Sequence, residues 1–284
     1  MKRIHQNKAW LLVLPAAVIL CVGGIAPVMT AINYSVQDSF SGNQYFWAGS
    51  TWYEQILQSA EFWKTLARTG AFTAITLCLQ FIIGIAVARK LYHAQIRPEI
   101  FIPLFSLPLL TPWIVVGFLW RRMMDADVGL LGSVLSALSL PPNLNDVGWA
   151  WLIIVALDVW HWTGIIVILC YAGYLAIPKP FFQAAKIDGA SPWKTFRYVE
   201  LPKLCRVLIV ACLIRMADSL MIYTEPFMIT RGGPHVATTF LSQDIIQTAT
   251  LEFNLGEAGA ISAVYLLLVV PLAWMLFRSV EKPQ

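Results

Sequence analysis

Long stretches without a formal charge constrain this chain more than any other feature. Between Arg68 and Arg89, Glu99 and Arg121, and Glu257 and Arg278, no Asp, Glu, Lys or Arg occurs. Each gap holds about 20 residues, the length a helix needs to cross roughly 30 Å of hydrocarbon. A fourth apolar stretch, Ala9 to about Ile32, lies within an uncharged run that continues to Gln37. A fifth runs between Asp146 and Lys179, interrupted only by Asp158. Charged residues make up 13% of the chain against 58% hydrophobic, where a soluble domain carries about 25% charged. Much of the surface must therefore face something other than water. The expected fold is an all-α polytopic membrane protein. A further segment, about Val207 to Thr224, is the sixth candidate span although it contains Arg215 and Asp218.

Six spans put both termini on one side of the bilayer, and the distribution of Lys and Arg says which side. With an N-in, C-in orientation, fourteen of the 20 basic residues fall inside. They are Lys2, Arg3 and Lys8; Arg89, Lys90 and Arg97; Lys179 through Arg206; and Arg278 with Lys282. Acidic residues such as Asp38, Glu54, Glu61, Asp125, Asp127 and Asp146 collect outside, and Arg121 and Arg122 break the pattern there. The N-terminal uncharged run is too long for a signal-peptide core and reads as a retained first span. The net charge of +4 is spread between apolar blocks, so no basic stripe for nucleic acid forms. Cys21, Cys78, Cys170, Cys205 and Cys212 lack CxxC spacing and read as small buried hydrophobes, not as metal or redox groups.

Local chemistry adds detail. Trp47, Trp52 and Tyr53 in the external segment read as rings at headgroup level, with ligand stacking as the other use for them. Pro103, Pro108 and Pro112 remove backbone donors from the third span and favour kinks, which either shape a pathway or bend a packing helix. The longest internal segment, 176–205, reads as two short helices. Pro180 opens the first, Gly189 ends it in a left-handed turn, and Ser191-Pro192 caps the second, which runs to about Tyr198. Pro202 is expected to break the chain before the fifth span. The aromatics Phe181, Phe182, Trp193, Phe196 and Tyr198, beside the small Ala184, Ala185 and Gly189, suit either a partner's cleft or the lipid interface.

The same loop carries a resemblance. Gln183-Ala184-Ala185, then Gly189, nine residues, and Val199-Glu200-Leu201-Pro202 resembles the EAA loop of bacterial ABC importer permeases. The carbohydrate-importer form of that loop, EAAxIDGA followed by a phenylalanine, is matched at Ala184, Ala185, Ile187, Asp188, Gly189, Ala190 and Phe196. Thr230-Arg231-Gly232-Gly233-Pro234, with Thr238 after it, looks like the TGGGP turn of the maltose-type branch. Two positions depart from the family: Gln183 stands where it has glutamate, and Arg231 where it has glycine. The resemblance implies a type I ABC importer permease fold. Residues 1–61 would form an N-terminal tail, first span and external segment. Residues 62–278 would form a five-helix core with the coupling loop, and 279–284 a tail. It also implies that Phe181, Gln183, Ala184, Ala185, Asp188 and Gly189 seat in an ATPase. Gln183 can hydrogen-bond there but cannot form the ion pair a glutamate would.

Ionisable groups inside a span are expensive and are functional candidates by default. Asp158, Trp160 and Trp162 can line a solute pathway or bind helix to helix. Asp218, three residues after Arg215, can pair with it. Tyr223 and Glu225 are expected near the outer mouth. His161 reads as a packed, hydrogen-bonded histidine. No GxxxxGK[ST] phosphate loop, HExxH or nucleophile–base motif occurs, so the chain is expected to be non-catalytic, with no cofactor or metal of its own. The resemblance implies ATP and Mg²⁺ on a separate ATPase dimer, a second homologous permease, a periplasmic or lipid-anchored solute-binding protein and a multi-pass place in the bacterial inner membrane. The cargo it implies is a sugar or polyol, glycerol or another alditol included, or a sugar derivative. The alternative is an ion- or proton-coupled secondary transporter; such carriers usually show repeated halves, which this sequence does not.

Overall fold

The computed structural model describes residues 10–40, 44–94 and 97–281 and is almost wholly helical. Lys2, Arg3, Lys8 and Lys282, counted above for orientation, lie outside the described residues. The chain divides into two compact units, Met1–Trp63 with Asp244–Val270 and Lys64–Gln243 with Pro271–Gln284.

In the first unit, helix α1 (Trp10–Leu20), a π-helical turn (Cys21–Ile25) and α2 (Ala26–Ser35) together form one apolar span. The widened turn has a local cause. Pro27 cannot donate to the carbonyl one turn back, at Gly23, and its ring would press on that carbonyl; a π turn centred there relieves both problems. A feature the all-helical expectation missed follows: strands β1 (Gln37–Phe40) and β2 (Gln44–Trp47) pair antiparallel, with Gln37 opposite Trp47. Helix α3 (Thr51–Gln58) braces the hairpin. The Trp52 indole donates to the Gln37 carbonyl at 3.0 Å, and the Tyr53 and Ser35 hydroxyls lie 2.6 Å apart. Of the three external rings, Trp47 is the exposed one.

The second unit is organised around α8 (Val147–Leu175), which Asp146 caps by accepting from the Trp149 N–H at 2.9 Å. This helix is apolar all round, and a helix of that kind belongs at the centre of its neighbours. Against it lie α4 (Ala60–His93), α5 (Pro98–Ser106), α6 (Trp113–Met123) and α11 (Leu201–Leu220). One buried cluster gathers Phe72, Val116, Ile153, Leu157, Ile229 and Phe240. A second gathers Ala88, Ile166, Cys170, Tyr174 and Leu204; Cys170 is thus the packed hydrophobe expected, whereas Cys21 and Cys78 are exposed and Cys205 and Cys212 half-buried. Between α6 and α8 lies α7 (Leu130–Ala137), preceded by a turn in which the Asp125 carboxylate accepts from the Asp127 and Val128 N–H groups. Those bonds hold its pKa below the usual range.

Four helical stretches among the described residues are long and apolar enough to span a bilayer: Val13–Ser35, Ala60–His93, Val147–Leu175 and Leu255–Met275, the last within α14 (Leu255–Glu281). The third expected span is not one straight helix. Pro98–Leu110 and Trp113–Met123 meet at 96°, with Pro108 opening a 3-10 turn and Pro112 preceding α6. The kinks read from the prolines are therefore present, and this bent pair makes a fifth span if counted as one. The sixth candidate, α11, is a 20-residue helix but carries Lys203, Arg206, Arg215 and Asp218, too many charges to be identified by composition.

Helices in lipid associate through close packing where small residues admit a neighbour. Gly164 of α8 meets α5 so closely that an added Cβ would lie 2.0 Å from the Phe105 carbonyl oxygen, and one at Gly84 of α4 would lie 2.6 Å from Ile166 Cγ2. A backbone oxygen cannot rotate away. Gly164→Ala should therefore cost about 1–3 kcal/mol of packing strain and visibly lower the melting temperature in detergent. Gly70→Ala in α4, where nothing lies within 4 Å, should leave it unchanged.

Candidate functional site

The segment 176–205 folds as an elbow. Helix α9 (Lys179–Ile187) begins after Pro178, with Pro180 in its first turn. It ends where Gly189 adopts φ +65°. The Asp188 and Ala190 N–H groups close that end on the Ala184 and Ala185 carbonyls, both at 2.9 Å, and glycine is the residue that takes this left-handed backbone without penalty. Ser191 then caps α10 (Pro192–Thr195), its hydroxyl accepting from the Lys194 N–H at 3.4 Å.

Pro202 does not break the chain. It sits in the first turn of α11, and α10 runs into α11 through a π-helical turn, Phe196–Glu200. The carbonyl that Pro202 would crowd belongs to Tyr198, at the centre of that turn. The wider winding therefore absorbs the proline and lets the second loop helix continue into the next long helix.

The side chains sort into two sets. Gln183, Ala184, Asp188 and Gly189 are exposed, as are Phe181, Trp193 and Tyr198; Ile187, at 86%, is among the most exposed apolar groups of the chain. Ala185 is turned inward and buried. Phe182 also turns inward, packing against Tyr92 and His93. Phe181 carries Lys203 Nζ at 4.4 Å from its ring centre, and Phe196 stacks near Trp193.

What fixes the elbow to the helical core is Glu200, which sequence reasoning noted only as a letter of a motif. Its carboxylate is fully buried in the π turn. It accepts from Arg89 Nε at 2.8 Å and Tyr174 OH at 3.0 Å, and lies 2.9 Å from His93 Nε2. Arg89 also donates to the Pro192 carbonyl at 2.9 Å. One carboxylate thus joins the loop to α4 and α8. The signal for it was a lone acid between Tyr198 and a proline; its partners lie up to 111 residues away and have no local signature.

A second polar node lies deeper. Arg215 of α11 donates from Nη2 to both Asp158 oxygens, at 3.0 and 3.2 Å, and from Nε to Gln80 Oε1 at 2.9 Å. Gln80 of α4 returns a bond to Asp158 Oδ2 at 2.8 Å. Arg215 also pairs with Asp218, as the three-residue spacing suggested, and its guanidinium lies 4.5 Å from the Trp162 ring centre. Arg215, Asp158 and Gln80 are buried, while Asp218 keeps 28% of its side-chain surface. Asp158 therefore acts here as a helix-to-helix link. Trp160 is 45% exposed and packs on Trp120; Trp162 packs on Trp113. Tyr223 stacks on Phe227, and Glu225 is buried in α12 (Thr224–Ile229). His161 is buried, but neither ring nitrogen has a hydrogen-bond partner among the described residues, contrary to expectation.

The turn after α12 takes left-handed backbone at two successive residues. Arg231 itself takes φ +54°, followed by Gly232 at +89°. Thr238 is the clasp: its hydroxyl lies 2.7 Å from that of Thr230 and donates to the Gly233 carbonyl at 2.6 Å. Helix α13 (Leu241–Thr250) follows.

Two substitution series test the nodes. Truncating Glu200 to Met leaves Arg89, a third exposed, with an unpaired charge; lost bonds to charged groups put the cost at about 2–3 kcal/mol. A double-mutant cycle with Arg89→Met should then return a coupling of at least about 0.5 kcal/mol by thermal unfolding. In the deeper node, Arg215→Met strands a buried carboxylate and should cost about 3–5 kcal/mol, read as loss of monodisperse protein in detergent. Adding Asp158→Asn should recover much of it. Failure of that rescue would mean Arg215 is held for something other than this pair.

With the geometry in hand, comparison with known proteins is direct. A family profile described as "Binding-protein-dependent transport system inner membrane component" matches residues 80–281. The trehalose/maltose transport system permease protein MalF of Thermococcus litoralis is 32% identical over 275 residues, covering 95% of this chain and 91% of its own length. The probable ABC transporter permease protein y4oQ of Sinorhizobium fredii is 28% identical, covering 95% and 90%. Among solved structures, a chain of a bacterial alginate ABC transporter, crystallised with a periplasmic protein carrying an alginate pentasaccharide, superposes over 100% of both chains. Its TM-score is 0.77 at 18% identity, a likeness of fold. On a match of this length, the chain belongs to the binding-protein-dependent transport system inner membrane components, the multi-pass permease subunits of ABC transporters.

Proposed function

We propose that this chain forms one half of the translocation pathway of an ATP-driven importer for a di- or oligosaccharide. ATP would be hydrolysed, with Mg²⁺, on separate ATPase subunits. The observation that carries this reading is the elbow at Gly189. It presents Gln183, Ala184, Ile187 and Asp188 outward on one short helix, while Glu200 ties the other end to α4 and α8. A group pushing on α9 would move the helices with it.

In this reading α11 is a span despite its charges, because Arg215 is neutralised within the protein and Lys203 and Arg206 lie near its end. The bent α5–α6 pair counts as another, for six in all with both termini in the cytoplasm. The membrane-facing half of the pathway would draw on the partly exposed Trp160, Trp162, Asp218 and Tyr223. Asp158 and Glu225 would support it from within. A second homologous permease would complete the pathway, and a solute-binding protein would deliver the cargo. The saccharide assignment leans on the relative named for trehalose and maltose and on the IDGA form of the loop; a polyol is the narrower alternative cargo.

Reconstitution with the partner permease, ATPase and binding protein in proteoliposomes tests this. Labelled trehalose or maltose should accumulate only with ATP on the ATPase side and regardless of ionophores. Accumulation driven by an ion gradient without ATP would instead make the chain a secondary carrier. Gly189→Val forces a β-branched residue into left-handed backbone at a cost of about 1–2 kcal/mol. It should reduce ATP-driven uptake at least tenfold while the chain is still made and inserted.

A further inference from the structure

A cavity of about 1450 Å³ opens between the last turns of α4 and the elbow. One wall is apolar and belongs to the span itself: Phe81, Ile82 and Ile85, faced by Phe182 of α9. Ile82 is 66% exposed, so α4 carries this wall outward to the lipid-facing surface. The rim has the opposite character. Lys90, Lys179 and Lys186 line it, all exposed, and none forms an ion pair among the described residues. The buried carboxylate at the cavity, Glu200, is already taken by Arg89 and His93. Three exposed ammonium groups therefore line an apolar slot with no carboxylate paired to them among the described residues.

The two halves call for one amphipathic anion. A water-soluble phosphate would leave the apolar wall bare, and a neutral lipid would leave the lysines unanswered. We propose that the cavity holds an anionic phospholipid of the adjoining leaflet. Its phosphate sits among Lys90, Lys179 and Lys186, and an acyl chain lies along Phe81, Ile82 and Ile85. Basic pockets beside spans take anionic headgroups on this electrostatic ground, and each Lys near the surface adds roughly a fivefold preference. The acyl chain contributes by leaving bulk lipid for a site of matching polarity, so charge sets the selectivity. A lipid here wedges between α4 and α9 and becomes part of the surface that the elbow rests on.

The test is a binding measurement on the full chain purified in its complex, stripped of lipid by detergent exchange. Native mass spectrometry with added phosphatidylglycerol or phosphatidylcholine of the same acyl chains should give adducts favouring phosphatidylglycerol at least tenfold. The triple variant Lys90→Gln, Lys179→Gln, Lys186→Gln should lose that preference. A photoreactive phosphatidylglycerol on the unaltered protein should label peptides from 81–94 or 179–196, a readout that does not depend on the variant folding. Equal binding of the two lipids would overturn the proposal. So would competition by inorganic phosphate at low millimolar concentration, which would assign the lysines to a soluble anion. Labelling confined to other spans, or a crosslink from Lys186 to another subunit that fills the slot, would overturn it as well.

Discussion

Inside a bilayer every buried polar group must find its partner within the protein, and that requirement sets the architecture of the second unit. Two polar nodes satisfy it for Asp158, Arg215 and Glu200, and both join the same three helices. Gln80, Asp158 and Arg215 meet in the interior of α4, α8 and α11; Arg89, Tyr174 and Glu200 meet at the end of the same bundle. Along the chain Glu200 and Arg215 are separated by about 22 Å of helix rise, so the three helices are clamped at two levels. Apolar contact alone discriminates weakly between helix registers in lipid, which is as apolar as leucine. Charge-assisted hydrogen bonds at two levels fix both rotation and slide. Gly84 of α4, against Ile166, and Gly173 of α8, against Leu204, then let these helices close to the distance those bonds need.

This arrangement bears on how force would travel. A loop attached by flexible chain would absorb displacement within itself. Here the second arm of the elbow is continuous with α11 through the π turn, and its inner face is pinned to α4 and α8 by one carboxylate. Gly189, in a hydrogen-bonded left-handed turn, joins the exposed first arm to this anchored second one. Under the proposed function, two packed elements joined by such a turn would act as levers in a rigid-body switch. Asp218 occupies a corresponding position at the deeper node. It is the one member of that node with a partly open carboxylate, and it shares Arg215 with the enclosed Asp158.

Much of this was legible before any coordinates. The uncharged runs located four spans, because a 20-residue gap between charges has few other uses. Ser191-Pro192 and Gly189 located the elbow, because cap and terminator chemistry is local. Two of the misses concern features settled by partners far away in sequence. Glu200 reads as one acid among many until Arg89 and Tyr174 are brought to it. Asp158 and Arg215 read as costly intrusions until each is seen to neutralise the other. His161 shows the reverse, a polar ring for which a partner was expected and none is found among the described residues. The hairpin at 37–47 escaped notice because its strands are four residues long and lack the alternation that marks a half-buried sheet.

Pro202 is one of two prolines that the chain accommodates with a π turn, whereas Pro15, Pro103 and Pro271 stand inside helices without one. At Pro27 and at Pro202 a proline stands two residues after a five-residue π turn, and in each case the turn is centred on the residue four before the proline. A proline inside an α-helix leaves one carbonyl without its donor and pushes on that same carbonyl. Widening the preceding turn moves the carbonyl aside and lets its neighbours find donors one residue further on. The helix survives at the price of a local bulge. In lipid the alternative, an open break with bare carbonyls, costs several kcal/mol per group, so a bulge is the cheaper answer there. A breaker rule learned in water therefore misreads such a chain, and at Pro202 the misreading matters. The helix it would have cut is the one that links the elbow to Arg215.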